Sequence, residues 1–208
     1  YSHVFEPTTE VLNSEYHLKG KWKSEVFKNN NPIILELGCG KGEYSVALAD
    51  KYPQKNFIGV DIKGARIWKG ATDSLSKKLT NIAFLRVRIE WIEHCFNSNE
   101  IDEIWITFPD PQLKFRRSSK RLTHPNFLKK YNKILNKTGV IHLKTDNNFL
   151  HAYTLGILDG QSHSIEYSSN DIYNADHLYE HLEIKTYYEQ KYLEKGMPIT
   201  YVKFRLNY

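Results

Sequence analysis

From residue 33 to residue 158, short apolar runs alternate with stretches of helical periodicity. This rhythm restricts the fold more than any other feature. Strands are predicted at 33–37, 56–61, 82–87, 103–108 and 140–144. Several are apolar at successive positions, as expected of strands covered on both faces of a parallel sheet. Helices are predicted over 43–52, 64–79, 125–137 and 147–158. In 125–137 a proline opens the segment, and Phe127, Leu128, Tyr131, Ile134 and Leu135 form one apolar face. Such alternation implies right-handed crossovers and an α/β domain. Two more strands, 164–167 and 200–206, flank a helix around 186–195 and are predicted to close the sheet in antiparallel fashion. Residues 1–31 are polar and weakly periodic and read as an N-terminal extension of a single domain, 32–208.

Composition bounds the function. With 208 residues, 40% apolar and 25% charged, the chain has the mix of an ordinary globular domain. Disordered, collagen-like and coiled-coil classes are excluded. The longest apolar runs fall far short of the roughly 20 residues that cross a bilayer. The chain starts at Tyr1, without Met, which suggests trimming. Its start shows no basic segment followed by an apolar core, so no signal peptide is expected. Cys39 and Cys95 are expected to be buried free thiols in a reducing cytoplasm. The nine His show no metal spacing, no G-x-S-x-G elbow is present, and no metal is expected. The four Trp, Trp22, Trp68, Trp91 and Trp105, are expected to pack in the core or a subdomain.

The segment Glu36-Leu37-Gly38-Cys39-Gly40-Lys41-Gly42 leaves a strand and enters a helix, the place where doubly wound sheets bind nucleotide-like ligands. A dinucleotide fingerprint needs a glycine where this chain has Glu43, and a pyrophosphate there would meet that carboxylate. G-x-G-x-G after an acid better suits S-adenosylmethionine, whose sulfonium and ammonium are cationic. Asp61 ends the second strand and can accept both ribose hydroxyls. A nicotinamide or flavin cofactor, or a plain structural turn, is the alternative.

The strand at 103–108 runs into Phe108-Pro109-Asp110-Pro111. The prolines fix the backbone about Asp110, in a loop that faces the ligand crevice. Five cations follow within eight residues: Lys114, Arg116, Arg117, Lys120 and Arg121. A charge run is often only a solvated face. Beside a reaction centre it can instead neutralise phosphates, and the net charge of +5 agrees with an anionic partner.

ELGCGKG, VDI, TFPDPQLKFRRSSKRLTHPNFLKKY, HLKTDN and TYYEQKYLEKGMPI, together with the upstream YHLKGKW, resemble the bacterial tRNA (guanine-N7-)-methyltransferases, the TrmB family. The resemblance covers about residues 15–206. It implies the Rossmann-like fold of class I S-adenosylmethionine-dependent methyltransferases, with a seven-stranded, mainly parallel sheet and antiparallel C-terminal strands. It also implies methylation of N7 of guanine 46 in the tRNA variable loop, with S-adenosylhomocysteine as second product. Glu36, Gly38, Gly40, Gly42, Asp61, Asp110 and, by its position, Arg88 match cofactor-contacting positions, and Asp110 also matches the acidic residue of the catalytic centre. Lys114, Arg116, Arg117, Lys120, Arg121, Asp146, Thr186, Tyr187, Tyr188 and Glu189 match substrate-binding positions. Arg88 stands where the family has an acid near the adenine; either Glu90 replaces it or backbone and stacking hold the ring. Gln112 replaces a common aromatic, and Arg117 a common histidine. Thr186 and Glu189 also have the spacing of a helix capping box. The expected partner is tRNA, with no membrane, and the chain is expected to act as a monomer or homodimer.

Guanine N7 has a lone pair and no proton, so methylation there calls for positioning and charge stabilisation rather than a base. Asp110, Asp146 and Glu189 are the candidate carboxylates. Three other readings stay open: methylation of an exocyclic base amine, an RNA-binding factor without turnover, and a small-molecule methyltransferase. The first usually carries Pro-Pro and an aromatic after its polar residue. The second must explain why Glu36, Gly38, Asp61 and Asp110 are present. The third must explain the basic stretch.

Overall fold

A computed structural model describes residues 3–7, 14–175 and 178–208. The chain forms β1 (Val4–Phe5), β2 (Ile33–Leu37), α1 (Glu43–Lys51), β3 (Asn56–Asp61), α2 (Gly64–Ser76), β4 (Ile82–Arg86), β5 (Ile101–Thr107), α3 (Pro125–Ile134), β6 (Leu135–Thr145), α4 (Asn148–Gly160), β7 (Ser164–Ser169), α5 (Tyr187–Glu194) and β8 (Thr200–Arg205). The sheet order is β1-β4-β3-β2-β5-β6-β8-β7. All pairs from β1 to β6 are parallel, and β8 runs antiparallel to both β6 and β7. From β2 the chain builds outward in one direction through β3 and β4, then returns to build β5 and β6 on the other side. Ligand crevices open at the strand C-termini beside such a reversal.

The central strands are buried along their length: every residue of β2 and β3 is buried. One core face packs Tyr16, Trp22 and the apolar stripes of α3 and α4 against the sheet. The other packs α1, α2, Leu182 and Ile199. Helix α3 starts at Pro125 as predicted, with His124 Nδ1 accepting from the Asn126 amide 3.1 Å away. It stops at Ile134, not at 137, because Leu135 already pairs with Ile101 of β5.

The expected seven strands are eight. The extra one is Val4–Phe5, paired with Phe84 and Leu85. Residues 14–27 also fold onto the core. Trp22 is fully buried, its indole N–H donates to the Cys95 carbonyl at 3.0 Å, and its ring stacks on Phe96 at 5.3 Å. Trp105 is buried as expected, whereas Trp68 is 49% exposed.

Candidate active site

The glycine loop leaves β2 and is tied back to β3. The Gly38 and Cys39 amides donate to the Val60 carbonyl at 2.8 and 3.0 Å. Gly38, Gly40 and Gly42 all have positive φ, 77°, 56° and 71°, the region that favours glycine. Their surroundings separate their roles. A Cβ on Gly40 would meet nothing within 4 Å, and one on Gly38 only a Leu122 methyl at 4.0 Å. A Cβ on Gly42 would strike the Phe84 ring at 2.6 Å. Gly38 and Gly40 therefore offer open backbone to a ligand. Gly42, expected among the cofactor contacts, lets α1 start against Phe84.

Asp61 ends β3 beneath this loop. Its Oδ2 accepts from the Gly40 amide at 3.0 Å and its Oδ1 from Lys63 at 2.8 Å. It lines a cavity of about 310 Å³. Ile62, Val87, Leu122 and Phe127 give that cavity apolar walls, and Gly38, Gln112 and Lys120 also line it. Arg88 and Glu90 both reach this cavity, 3.7 Å apart as an ion pair. Arg88 also lies 5.4 Å from the Trp91 ring centroid. A flat apolar heterocycle fits these walls, with its sugar at Asp61. A second cavity of about 120 Å³ opens from Gly38 towards α5, lined by Lys41, Glu43, Arg66, Thr107, Thr186 and Tyr188 among others. It offers cations for a carboxylate and an acid for an ammonium. The open glycines, the carboxylate and the two cavities that share Gly38 suit S-adenosylmethionine.

Glu36, expected to touch the cofactor, is turned inward. Its oxygens accept from the Ser45 amide at 2.9 Å, the Ser45 hydroxyl and the Thr107 hydroxyl at 2.6 Å. It reaches the smaller cavity only through Thr107. Burial pushes its carboxyl up to about 7, against the pull of those hydrogen bonds.

Asp110 sits in a held loop. Phe108 and Gln112, on either side of Pro-Asp-Pro, adopt left-handed backbones at φ 48° and 46°, conformations that cost non-glycine residues about 1–3 kcal/mol and cluster at functional sites. The Gln112 amide donates to Asp110 Oδ1 at 2.9 Å, and the Phe108 amide donates to the Lys144 carbonyl of β6 at 2.8 Å. Asp110 stays exposed, between residues that line the two cavities.

The basic segment divides. Lys114, Arg116, Arg117 and Lys120 are exposed on and beside a short helix, Phe115–Lys120, and Lys120 also borders the larger cavity. Arg121, expected to face RNA, is only 5% exposed. Its guanidinium donates to the Pro111 and Gln112 carbonyls at 3.2 and 3.1 Å. It lies 4.8 and 4.4 Å from the Phe149 and Tyr153 ring centroids. Arg121 is a brace for the Asp110 loop.

Asp146 follows β6, the strand beside β5. It is half-buried, and burial raises its carboxyl above the usual range. Thr186 caps α5 in a full capping box with Glu189. Glu189, expected to meet substrate, is fully buried and pairs with Lys144 at 2.7 Å. It also accepts from the Tyr173 hydroxyl at 2.7 Å. Tyr187 and Tyr188 are exposed at the start of α5. The Tyr187 amide donates to Glu43 at 2.8 Å, and Tyr192 stacks on Phe108 with centroids 6.0 Å apart. Helix α5 is thereby fixed over both the glycine loop and the Asp110 loop. Lys144 went unpredicted; it carries no signal of its own in the sequence, since its strand also holds Lys137, His142 and Thr145.

Among the described residues no helix is long and apolar enough to cross a membrane. The fold is shared with methyltransferases: a 16S rRNA methyltransferase, KamB, superposes with a TM-score of 0.68 at 10% identity, covering 89% of this chain and 92% of that one. A family model described as "Putative methyltransferase" matches residues 30–202. A tRNA (guanine-N(7)-)-methyltransferase of Christiangramia forsetii is 52% identical, covering 99% of this chain and 93% of the relative. One of Bacteroides fragilis is 51% identical, covering 99% and 81%. The chain belongs to the tRNA (guanine-N(7)-)-methyltransferase family, whose members use S-adenosylmethionine.

Proposed function

We propose that this protein methylates N7 of guanine 46 in the variable loop of tRNA, forming 7-methylguanosine in the cytoplasm. The observation that carries the reading is the Asp110 loop. A carboxylate held between two prolines stands beside the glycine loop and is followed directly by exposed cations. When bound, S-adenosylmethionine supplies a methyl carbon made electrophilic by its sulfonium. Gly38, Gly40 and Asp61 would hold its adenosine part, with Ile62 and Phe127 against the ring. Lys41, Glu43 and Arg66 would face its amino-acid end.

The remaining tasks fall to the protein. N7 carries a lone pair and no proton, so no residue has to remove one there. Lys114, Arg116, Arg117 and Lys120 hold phosphates and set the register of the RNA. Asp146 is available to accept from guanine N1–H and the 2-amino group. The guanine ring gains positive charge as N7 is alkylated, and Asp110 stabilises that charge as it develops. Glu189 takes no part in base contact; with Lys144 it fixes α5.

The test is to incubate the protein with methyl-labelled S-adenosylmethionine and an unmodified tRNA transcript, then digest the RNA. The reading expects label in 7-methylguanosine. Label in an exocyclic-amine product would overturn it.

A further inference from the structure

Within the basic segment, two apolar side chains point into solvent: Leu113 is 62% exposed and Phe115 90%. Single exposed apolar residues are ordinary, but here the backbone holds this pair in place. Gln112 at φ 46° turns the chain outward immediately before Leu113. Arg121 clamps the Pro111 and Gln112 carbonyls from below, and the Arg117 amide closes the turn on the Lys114 carbonyl at 2.9 Å. Phe115 is thus presented by a braced turn, and removing its ring would expose no core.

The chemistry around the ring identifies its partner. Lys114 and Arg116 flank Phe115, Arg117 and Lys120 follow in the same short helix, and no acid lies between Pro111 and Leu122. An aromatic face among cations suits a ligand with flat apolar faces joined by phosphates. Unpaired nucleic-acid bases are such a ligand, and they stack on aromatic side chains in single-stranded and loop regions. The turn is continuous with Asp110 on one side and with Lys120 and Leu122 of the larger cavity on the other. A base on Phe115 would therefore lie near the target guanine.

We infer that Phe115 is a stacking platform for an unpaired tRNA base next to the methylated guanine, with Leu113 against its edge. This rests on the tRNA reading above. Such a base would be held out of its own stack, leaving the target free to enter the site.

The test compares unaltered protein with Phe115→Ala, Phe115→Tyr and Lys114→Ala. It measures tRNA dissociation constants across a salt series and single-turnover methylation. Loss of one stacked base predicts a roughly 5- to 100-fold weaker affinity for Phe115→Ala. The salt slope should stay unchanged, while Lys114→Ala should lower it by about 1. Phe115→Tyr should restore affinity. Equal affinity for Phe115→Ala, with methylation by the unaltered protein intact, would overturn the platform alone. Absence of tRNA binding by the unaltered protein would overturn both readings. Self-association, or binding to phosphatidylserine vesicles, that is lost in Phe115→Ala while RNA affinity holds would assign the surface elsewhere and overturn the platform.

Discussion

The Lys144 ammonium lies 2.7 Å from the Glu189 carboxylate, and both side chains are fully buried. Lys144 also donates to the Leu182 and Ile184 carbonyls at 3.1 and 3.0 Å. One ion pair therefore joins β6, the segment before α5, and α5 itself. Burial pushes the Lys144 ammonium below the usual lysine range, and Glu189 opposes that shift. Removing one partner strands the other charge in the core, which costs about 3–5 kcal/mol. Glu189→Gln and Lys144→Met should each lose about that much in urea unfolding. The double variant should lose less than the sum of the two.

Asp110 bears on turnover rather than on cofactor affinity. Asp110→Asn keeps the size and the acceptor for the Gln112 amide but removes the charge. Single-turnover methylation should fall by about 100-fold or more, in line with the loss of one preorganised electrostatic contact. S-adenosylhomocysteine binding, followed by calorimetry, should change far less.

Asp61 should show the opposite pattern. Its carboxylate holds the Gly40 amide and faces the larger cavity. Charge-assisted hydrogen bonds contribute about 1.5–3 kcal/mol. Asp61→Ala should therefore weaken S-adenosylhomocysteine binding by roughly 10- to 100-fold, measured in the same titration.

Arg121 and Arg117 are neighbours in the basic run with different work. Arg117 is exposed, so Arg117→Ala should reduce the salt slope of tRNA binding by about 1. Arg121 grips the Asp110 loop from inside. Arg121→Met should leave the slope unchanged and lower the methylation rate.

Glu36 makes stability depend on pH. Its folded-state pKa of about 7 stands above the ordinary value of 4.5, so the native state holds the proton more tightly than the unfolded chain. Its contribution is fully present below about pH 4.5 and is lost as pH rises through 7. Relative to Glu36→Gln, the unaltered protein should lose up to about 3 kcal/mol between pH 5 and 8. Urea midpoints at each pH check this.

Much of the architecture was legible because β2 and β3 are buried on both faces and read as largely apolar runs, interrupted at Glu36 in β2 and bounded by Asn56 and Asp61 in β3. The glycine loop, Asp61 and the Asp110 loop were legible for a related reason: each stands at a strand end, and strand ends locate the crevice. The inward turns were not legible. Arg121 and Lys114 look alike in a row of cations, and only the carbonyls of Pro111 and Gln112 separate them. Glu189 looks like a surface acid of a capping box until Lys144, 45 positions earlier in the chain, is brought beneath it. Gly42 looks like Gly40 until Phe84 is packed against it. Trp22 lies in a polar stretch whose few apolar residues have no helical or strand period, so its place under the sheet has no local signature.

The central claim is that this site methylates one guanine of the tRNA variable loop. The most direct measurement compares methyl-label incorporation into two unmodified transcripts, one of them with guanine 46 replaced by adenine. The account predicts label in the first and none above background in the second. Equal labelling of the two would contradict it.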